Sequence, residues 1–383
     1  MSSTSLRQVP SRRLLRIALV GAAVWLGVAL LFQYTSGGWT FDLKAYLLAA
    51  ERLIHGAGLY QPVTLAGPFR PGPAGLYLYA PPLAVAAMPL ALLSHGAGLI
   101  WWAVHIAALA LMAAVMPVRK EIKVAIFVIA TVSQPVLKDL LLGNVSVLVV
   151  ALSAVVWRWV DKPLGGIALA AALTVRPTLG IVLLWALLRR RWRLIVWTAL
   201  AGVVLIAVTL PIVGIGGYLD YVTVLRNIAN VTSIPNNVDL GTIAIKYGAN
   251  SAIVTAALVA GYGVAIGAML LSLRRDREIS LMVTLTASLL LSPLLWDHYL
   301  ASLLLPAAFL AQRGKLLGLG LPLLAWLQVP FLPFVVIVAT IAPLAVPDRA
   351  PAEEAVQARE VTRATALGTA PPADEAPEAG TVA

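Results

Sequence analysis

Ten carboxylates stand outside the acidic C-terminal stretch of this 383-residue chain, few enough to sort one by one. Asp276 and Glu278 sit among Arg274, Arg275 and Arg277, where solvated ion pairing accounts for them. Glu121 beside Lys120 and Asp161 beside Lys162 read the same way at helix ends. Asp42, Glu51, Asp220, Asp239 and Asp297 remain, with Asp139 unassigned. Asp42 has the clearest chemical opportunity. It stands just after the first long apolar run, at the start of an amphipathic segment, where a lipid and an aqueous reactant can meet. A carboxylate partly withdrawn from water has a raised pKa and can act as a general base toward a hydroxyl. An acid in the first turn of a helix also complements the helix dipole, and on residue physics alone that is the simpler reading.

The other candidates each carry two readings. Arg176 lies in an apolar run, where an arginine is costly and points to function or pairing. Its guanidinium could grip a phosphate bidentately, or it could snorkel or pair with a carbonyl freed by Pro177. His298 follows the helix-breaking Ser292-Pro293 and could hydrogen-bond a phosphate or a polar substrate, or serve as an interfacial anchor. Asp297 and Trp296 could line the same pocket, although tryptophan at this depth usually belongs to the aromatic belt. Tyr79, with Arg70, lies near the outer start of the next apolar segment, whose prolines Pro81 and Pro82 suit helix initiation. Asn236 and Asn237 could hydrogen-bond a hydroxylated substrate, or simply form a turn. Cysteine is absent, which excludes disulfides, thiolate metal sites and a cysteine nucleophile. His55, His95, His105 and His298 are scattered, without a metal-binding spacing such as HExxH.

The elements that must position these residues are membrane helices. The chain is 60% hydrophobic and 12% charged, whereas a soluble chain has about 25% charged residues. Apolar segments are expected at 15–34, 82–93, 98–116, 122–137, 145–160, 164–175, 178–188, 194–212, 251–273, 279–294, 299–311, 316–329 and 332–346. The first is read as a retained span, since no A-x-A-like cleavage site follows it. Basic clusters at Arg12-Arg13, Arg189 to Arg193, Arg274 to Arg277 and Arg313 to Lys315 are assigned to the cytoplasm. The loops 39–80 and 213–250, and the turn around 292–298, then face outward. Both termini fall inside, which requires an even number of crossings, about twelve. Either 164–188 is one helix kinked at Arg176-Pro177, or 82–93 enters the membrane only half-way. Within the first outer loop, TFDLKAYLLAAERLIH reads as an amphipathic helix with apolar positions 43, 47, 50 and 54. The formal charge of +11 divides into −4 on the tail 347–383 and +15 on the body 1–346. That tail, rich in Ala, Pro and Glu, is expected to be disordered in the cytoplasm.

In this order the features resemble the GT-C glycosyltransferases that use polyprenyl-phosphate sugars, specifically glycosyltransferase family 87. The matching stretches are FDLKAYLLAAERLIHGAGLY (41–60), YAPPLAVAAMPLALL (79–93), LLLGNVSVL (140–148), AAALTVRPTLGIVLLWALLRRRWR (170–193) and LLLSPLLWDHYLASLLLP (289–306). The resemblance implies an all-α polytopic protein of GT-C type in the plasma membrane, with its active site on the outer face. Asp42 would be the catalytic base; Arg176, His298 and Tyr79 would bind the donor; Asn144, Asn236, Asn237, Trp296 and Asp297 would line the acceptor pocket. The reaction implied is inverting transfer of a sugar, mannose above all, from a polyprenyl-phosphate donor to a glycolipid or cell-envelope glycan. No cofactor or metal is expected, because the leaving group is a stabilised phosphate and the chain has no DxD motif. Family members commonly show Gly-Gln where Gly143-Asn144 stand, lysine at Arg176, serine at Leu295, and paired histidines where His298 precedes Tyr299. Those departures leave the sugar open. The rival class is a transporter or lipid flippase, which also needs many spans and an intramembrane arginine. It has less use for a structured outer loop.

Overall fold

The computed structural model describes residues 12–35, 41–68, 75–93, 96–229 and 237–345, and among them the chain is helical, without a strand. Arg70, His95, Asn236 and the tail 347–383 lie outside the described residues. Among the described residues three helices are long and apolar enough to cross a membrane: α5 (Ala97–Val115), α11 (Trp192–Ala229) and α13 (Ser251–Ser272). A fourth crossing results if α6 (Lys120–Val132) and α7 (Gln134–Leu142), bent by 59° at Ser133, form one span. The protein is a membrane protein, but most of its apolar segments are short or broken. At about 1.5 Å per residue, the 11 residues of α4 (Pro81–Ala91) are about 16 Å long, against a hydrocarbon core of about 30 Å.

The breaks have local causes. α9 (Pro163–Val175) stops at Arg176, because Pro177 has no N–H to continue the ladder; a 3-10 turn at Pro177–Leu179 leads into α10 (Gly180–Leu188). Two departures from sequence expectation stand out. The stretch after Val213, expected to be loop, is helical to Ala229, beyond a kink at Gly214 whose φ of +70° and ψ of 164° interrupt the helix. Beyond the kink, Val224 and the partly buried Tyr221 pack on the cluster that holds Tyr46 and Tyr77. The apolar run 316–329 winds as a 3-10 helix over Leu316–Leu327, with Pro322 inside it.

The helix after the first apolar segment, α1 (Arg12–Thr35), is α2 (Phe41–Ile54). It buries Leu43, Ala45, Tyr46, Ala49 and Ala50, so its inner stripe is centred on Tyr46 rather than on the 43/47/50/54 series. Leu47 is half-buried and Ile54 exposed, because α2 packs on α4 over a layer of aromatic rings. Tyr46 meets Tyr79 edge-on at 5.3 Å and Trp101 at 5.9 Å, while Tyr60 lies 5.7 Å from Tyr77. Buried tyrosine hydroxyls close the layer, Tyr60 donating to the Tyr79 carbonyl at 2.7 Å and Tyr77 to that of Ala80 at 2.6 Å. Beneath it a second core joins α5, α8 (Ser146–Trp159), α9, α14 (Arg277–Ala287) and α15 (Leu304–Gln312). Exposed apolar residues such as Val196, Leu200, Val203 and Val208 on α11 form a lipid-facing surface.

Candidate active site

Asp42 occupies the first turn of α2 and is half-buried. Its Oδ2 accepts a 2.8 Å hydrogen bond from Asn144 Nδ2, which also donates to the Tyr79 hydroxyl at 3.0 Å. Burial raises the Asp42 pKa above the usual carboxylate value; charge on His298 and the Asn144 hydrogen bond pull against that rise. An ionised Asp42 is therefore a stronger base than an exposed aspartate.

Asn144 can hold this position because its backbone is built for it. Gly143 ends α7 in the left-handed region at φ +67°, a conformation that a side chain disfavours, and turns the chain into α8. Asn144 Oδ1 then accepts from Val145 N at 2.7 Å, Ser146 N at 3.1 Å and Ser146 Oγ at 3.0 Å, so its amide orientation is set. Asp139, unassigned from sequence, is fully buried and accepts from Ser146 N and Val147 N at 3.1 and 3.0 Å. His105 Nε2 approaches the Asn144 carbonyl at 2.5 Å and Asp139 Oδ2 at 3.3 Å. Trp101 Nε1 donates to the Gly143 carbonyl at 2.8 Å. This second layer fixes the loop that fixes Asp42.

Arg176 is 5% exposed at the α9 break. Its Nη1 donates to Ser302 Oγ at 2.8 Å, its Nη2 lies 3.4 Å from Ser146 Oγ, and the guanidinium sits 4.2 Å over the Tyr299 ring. No carboxylate pairs with it among the described residues. Ser146 thus links Arg176 to Asn144 and, through it, to Asp42. Tyr299, standing where the second histidine of the family pattern would be, is the face on which the guanidinium rests.

His298 is 4% exposed and neither ring nitrogen has a hydrogen-bond partner among the described residues. Asp297 Oδ1 is 3.6 Å from Nδ1, beyond hydrogen-bond reach, and the ring lies parallel to Trp296 at 6.4 Å. Buried polar atoms without partners are rare, and both ring nitrogens of His298 are among them. Asp297 turns the other way: Oδ2 accepts from Lys138 Nζ at 2.5 Å and Gln134 Nε2 at 3.2 Å. Although burial alone would raise its pKa, His298 and Lys138 hold it below the ordinary carboxylate range. Beyond it opens a cavity of about 230 Å³ lined by Gln134, Lys138, Lys246, Asp297 and Gln328 among others. Asn237 does not reach into this cluster with its amide. The amide staples the chain instead, Oδ1 accepting from Leu295 N at 2.8 Å and Nδ2 donating to the Pro293 carbonyl at 3.1 Å. The site residues brought together are therefore Asp42, Tyr79, Asn144, Arg176 and His298, with Trp296 and Asp297 forming a wall. Gln134, Lys138, Tyr299 and Ser302 were not foreseen. Only the family stretch 289–306, which contains the last two, offered any sequence signal for them.

No group of three or more His, Cys, Asp or Glu side chains that could hold a metal occurs among the described residues. Among the described residues the cluster gathers a raised-pKa carboxylate at Asp42, a guanidinium without a carboxylate partner at Arg176 and an imidazole without a hydrogen bond at His298. The chain belongs to glycosyltransferase family 87, whose sequence model matches residues 77–293, more than half of its length. It is a glycosyltransferase. Tyr79, Asn144, Arg176 and Asn237 fall inside the match; Asp42 precedes it and Trp296, Asp297 and His298 follow it. No curated protein and no solved structure matches the chain.

Proposed function

We propose that the protein transfers a sugar, mannose in the first instance, from a polyprenyl monophosphate carrier to a hydroxyl of a glycolipid or cell-envelope glycan. The reaction takes place on the outer face of the plasma membrane, in a GT-C scaffold of about twelve crossings with both termini in the cytoplasm. The observation that carries this reading is Arg176: a buried guanidinium with no carboxylate partner among the described residues, joined through Ser146 and Asn144 to Asp42. An unpaired buried cation costs several kcal/mol of desolvation, about what a bound phosphate would return. Arg176 and His298 hold the phosphate of the donor, and Tyr79 flanks it. Asp42 takes the proton of the acceptor hydroxyl as its oxygen bonds to the anomeric carbon. The bond from that carbon to the phosphate oxygen breaks with its electron pair on the phosphate, and the configuration inverts. The polar cavity beyond Asp297 receives the acceptor glycan, since its amides, lysines and carboxylate suit vicinal hydroxyls.

The test uses membranes carrying the full chain and labelled polyprenyl-phosphate mannose with native glycolipid as acceptor. Asp42→Asn is expected to lower transfer at least about a hundredfold, the scale of general-base catalysis. Near-normal turnover in that variant refutes the assignment.

A further inference from the structure

The end of the protein away from Asp42 carries a second, unrelated site. α8 begins at Ser146, beside Asn144, and ends at Trp159; its 14 residues put the two ends about 21 Å apart. At the far end a cleft of about 600 Å³ opens between the C-termini of α5, α8 and α15 and the start of α6. Arg119, Lys123 and Arg158 line it together with Trp159, Gln312 and the apolar residues Val115, Met116 and Val118. No carboxylate lines it, and none pairs with the three cations among the described residues.

Neutralising helix ends is the plain duty of cations placed so, and the count decides against that being all they do. Three helix C-termini contribute about −0.5 each and the α6 N-terminus about +0.5, together about −1. Three cations leave about +2. Part of their geometry is already set: Lys123 Nζ donates to the Ala114 carbonyl at 2.5 Å, and the Arg119 backbone N–H is tied to Gln312 Oε1 at 2.8 Å. The guanidinium of Arg158 has no partner among the described residues and is exposed. A net positive cleft walled by apolar side chains, with a tryptophan at its rim, fits a ligand that is anionic at one end and hydrocarbon at the other.

We infer that this cleft binds the phosphate headgroup of an anionic phospholipid, in the leaflet opposite the catalytic one. The inference does not depend on the identity of the sugar transferred. Purified full-length protein in detergent is titrated with dioleoyl phosphatidylglycerol, with dioleoyl phosphatidylcholine, and with inorganic phosphate, and bound lipid is read by native mass spectrometry. The wild type is expected to prefer the anionic lipid at least about tenfold, and Arg119→Gln/Lys123→Gln/Arg158→Gln to lose about a hundredfold of that affinity. Should the triple variant fail to fold, Lys123→Gln alone is expected to lose about fivefold. The double variant Arg190→Gln/Arg193→Gln, outside the cleft, should keep the tightest adduct. Equal binding of the two lipids, undiminished binding in the triple variant, an equal loss in the control pair, or displacement of the lipid by millimolar inorganic phosphate would each overturn the inference.

Discussion

Replacing Asn144 by aspartate tests how Asp42 is tuned. The substitution is isosteric, and its Oδ1 can still accept from Val145 N and Ser146 N, so the α8 start survives. What changes is the contact with Asp42 Oδ2, now 2.8 Å from a donating amide and then faced by a second carboxylate. Losing a hydrogen bond to a charged group costs the ionised form about 1.5–3 kcal/mol, or about 1–2 pKa units. Two carboxylates about 4 Å apart at an effective dielectric of about 20 repel by about 4 kcal/mol, which adds about 3 units. The pair would share one proton over a wide pH range, titrating as a dyad rather than as two residues. In the wild type the base is protonated, hence inactive, at low pH, and kcat/KM rises as pH passes through its raised pKa. In Asn144→Asp that acid limb is expected to move up by at least about 3 pH units. The assay is kcat/KM for labelled donor between about pH 4 and 9. An acid limb at the same pH in both proteins would refute the reasoning, because the group titrating there would not be touching Asn144.

Arg176→Gln should raise the donor KM at least about tenfold while leaving thermal stability equal or higher, since it removes a buried charge that no carboxylate pairs with among the described residues; a falling melting temperature with unchanged KM would make the arginine structural. His298→Phe is expected to fill the same space yet weaken donor binding, with little loss of folded protein on size-exclusion chromatography. Gly166→Ala should destabilise by about 1–3 kcal/mol in a denaturant titration, because an added Cβ would lie 2.4 Å from Trp197 Cβ where α9 crosses α11.

Much of the scaffold was readable from residue order because its signals are local. The apolar runs appear as helices, Pro177 breaks the helix where its missing N–H requires, and the amphipathic stretch after the first apolar run forms α2 with Asp42 in its first turn. The stripe that α2 buries was displaced because Tyr46 finds Tyr79 and Trp101, rings from distant segments. The stretch after Val213, expected to be loop, is helical beyond Gly214, and Tyr221 and Val224 on it pack against side chains from distant segments. The support of the site was the least legible part. Asn144 meets Asp42 across 102 residues, Lys138 meets Asp297 across 159, and Arg176 meets Ser302 across 126. No spacing rule links such pairs; only the packing of α2, α7, α8 and the 3-10 turn at Asp297–Leu303 does.

The central claim is that Asp42 acts on the acceptor proton and on nothing else. Single-turnover transfer from pre-bound labelled donor, with donor affinity measured on the same preparations, separates chemistry from binding. Asp42→Asn is expected to bind the donor within about threefold of wild type while its transfer rate drops at least about a hundredfold. A rate close to wild type, or a loss wholly explained by weakened donor binding, would contradict it.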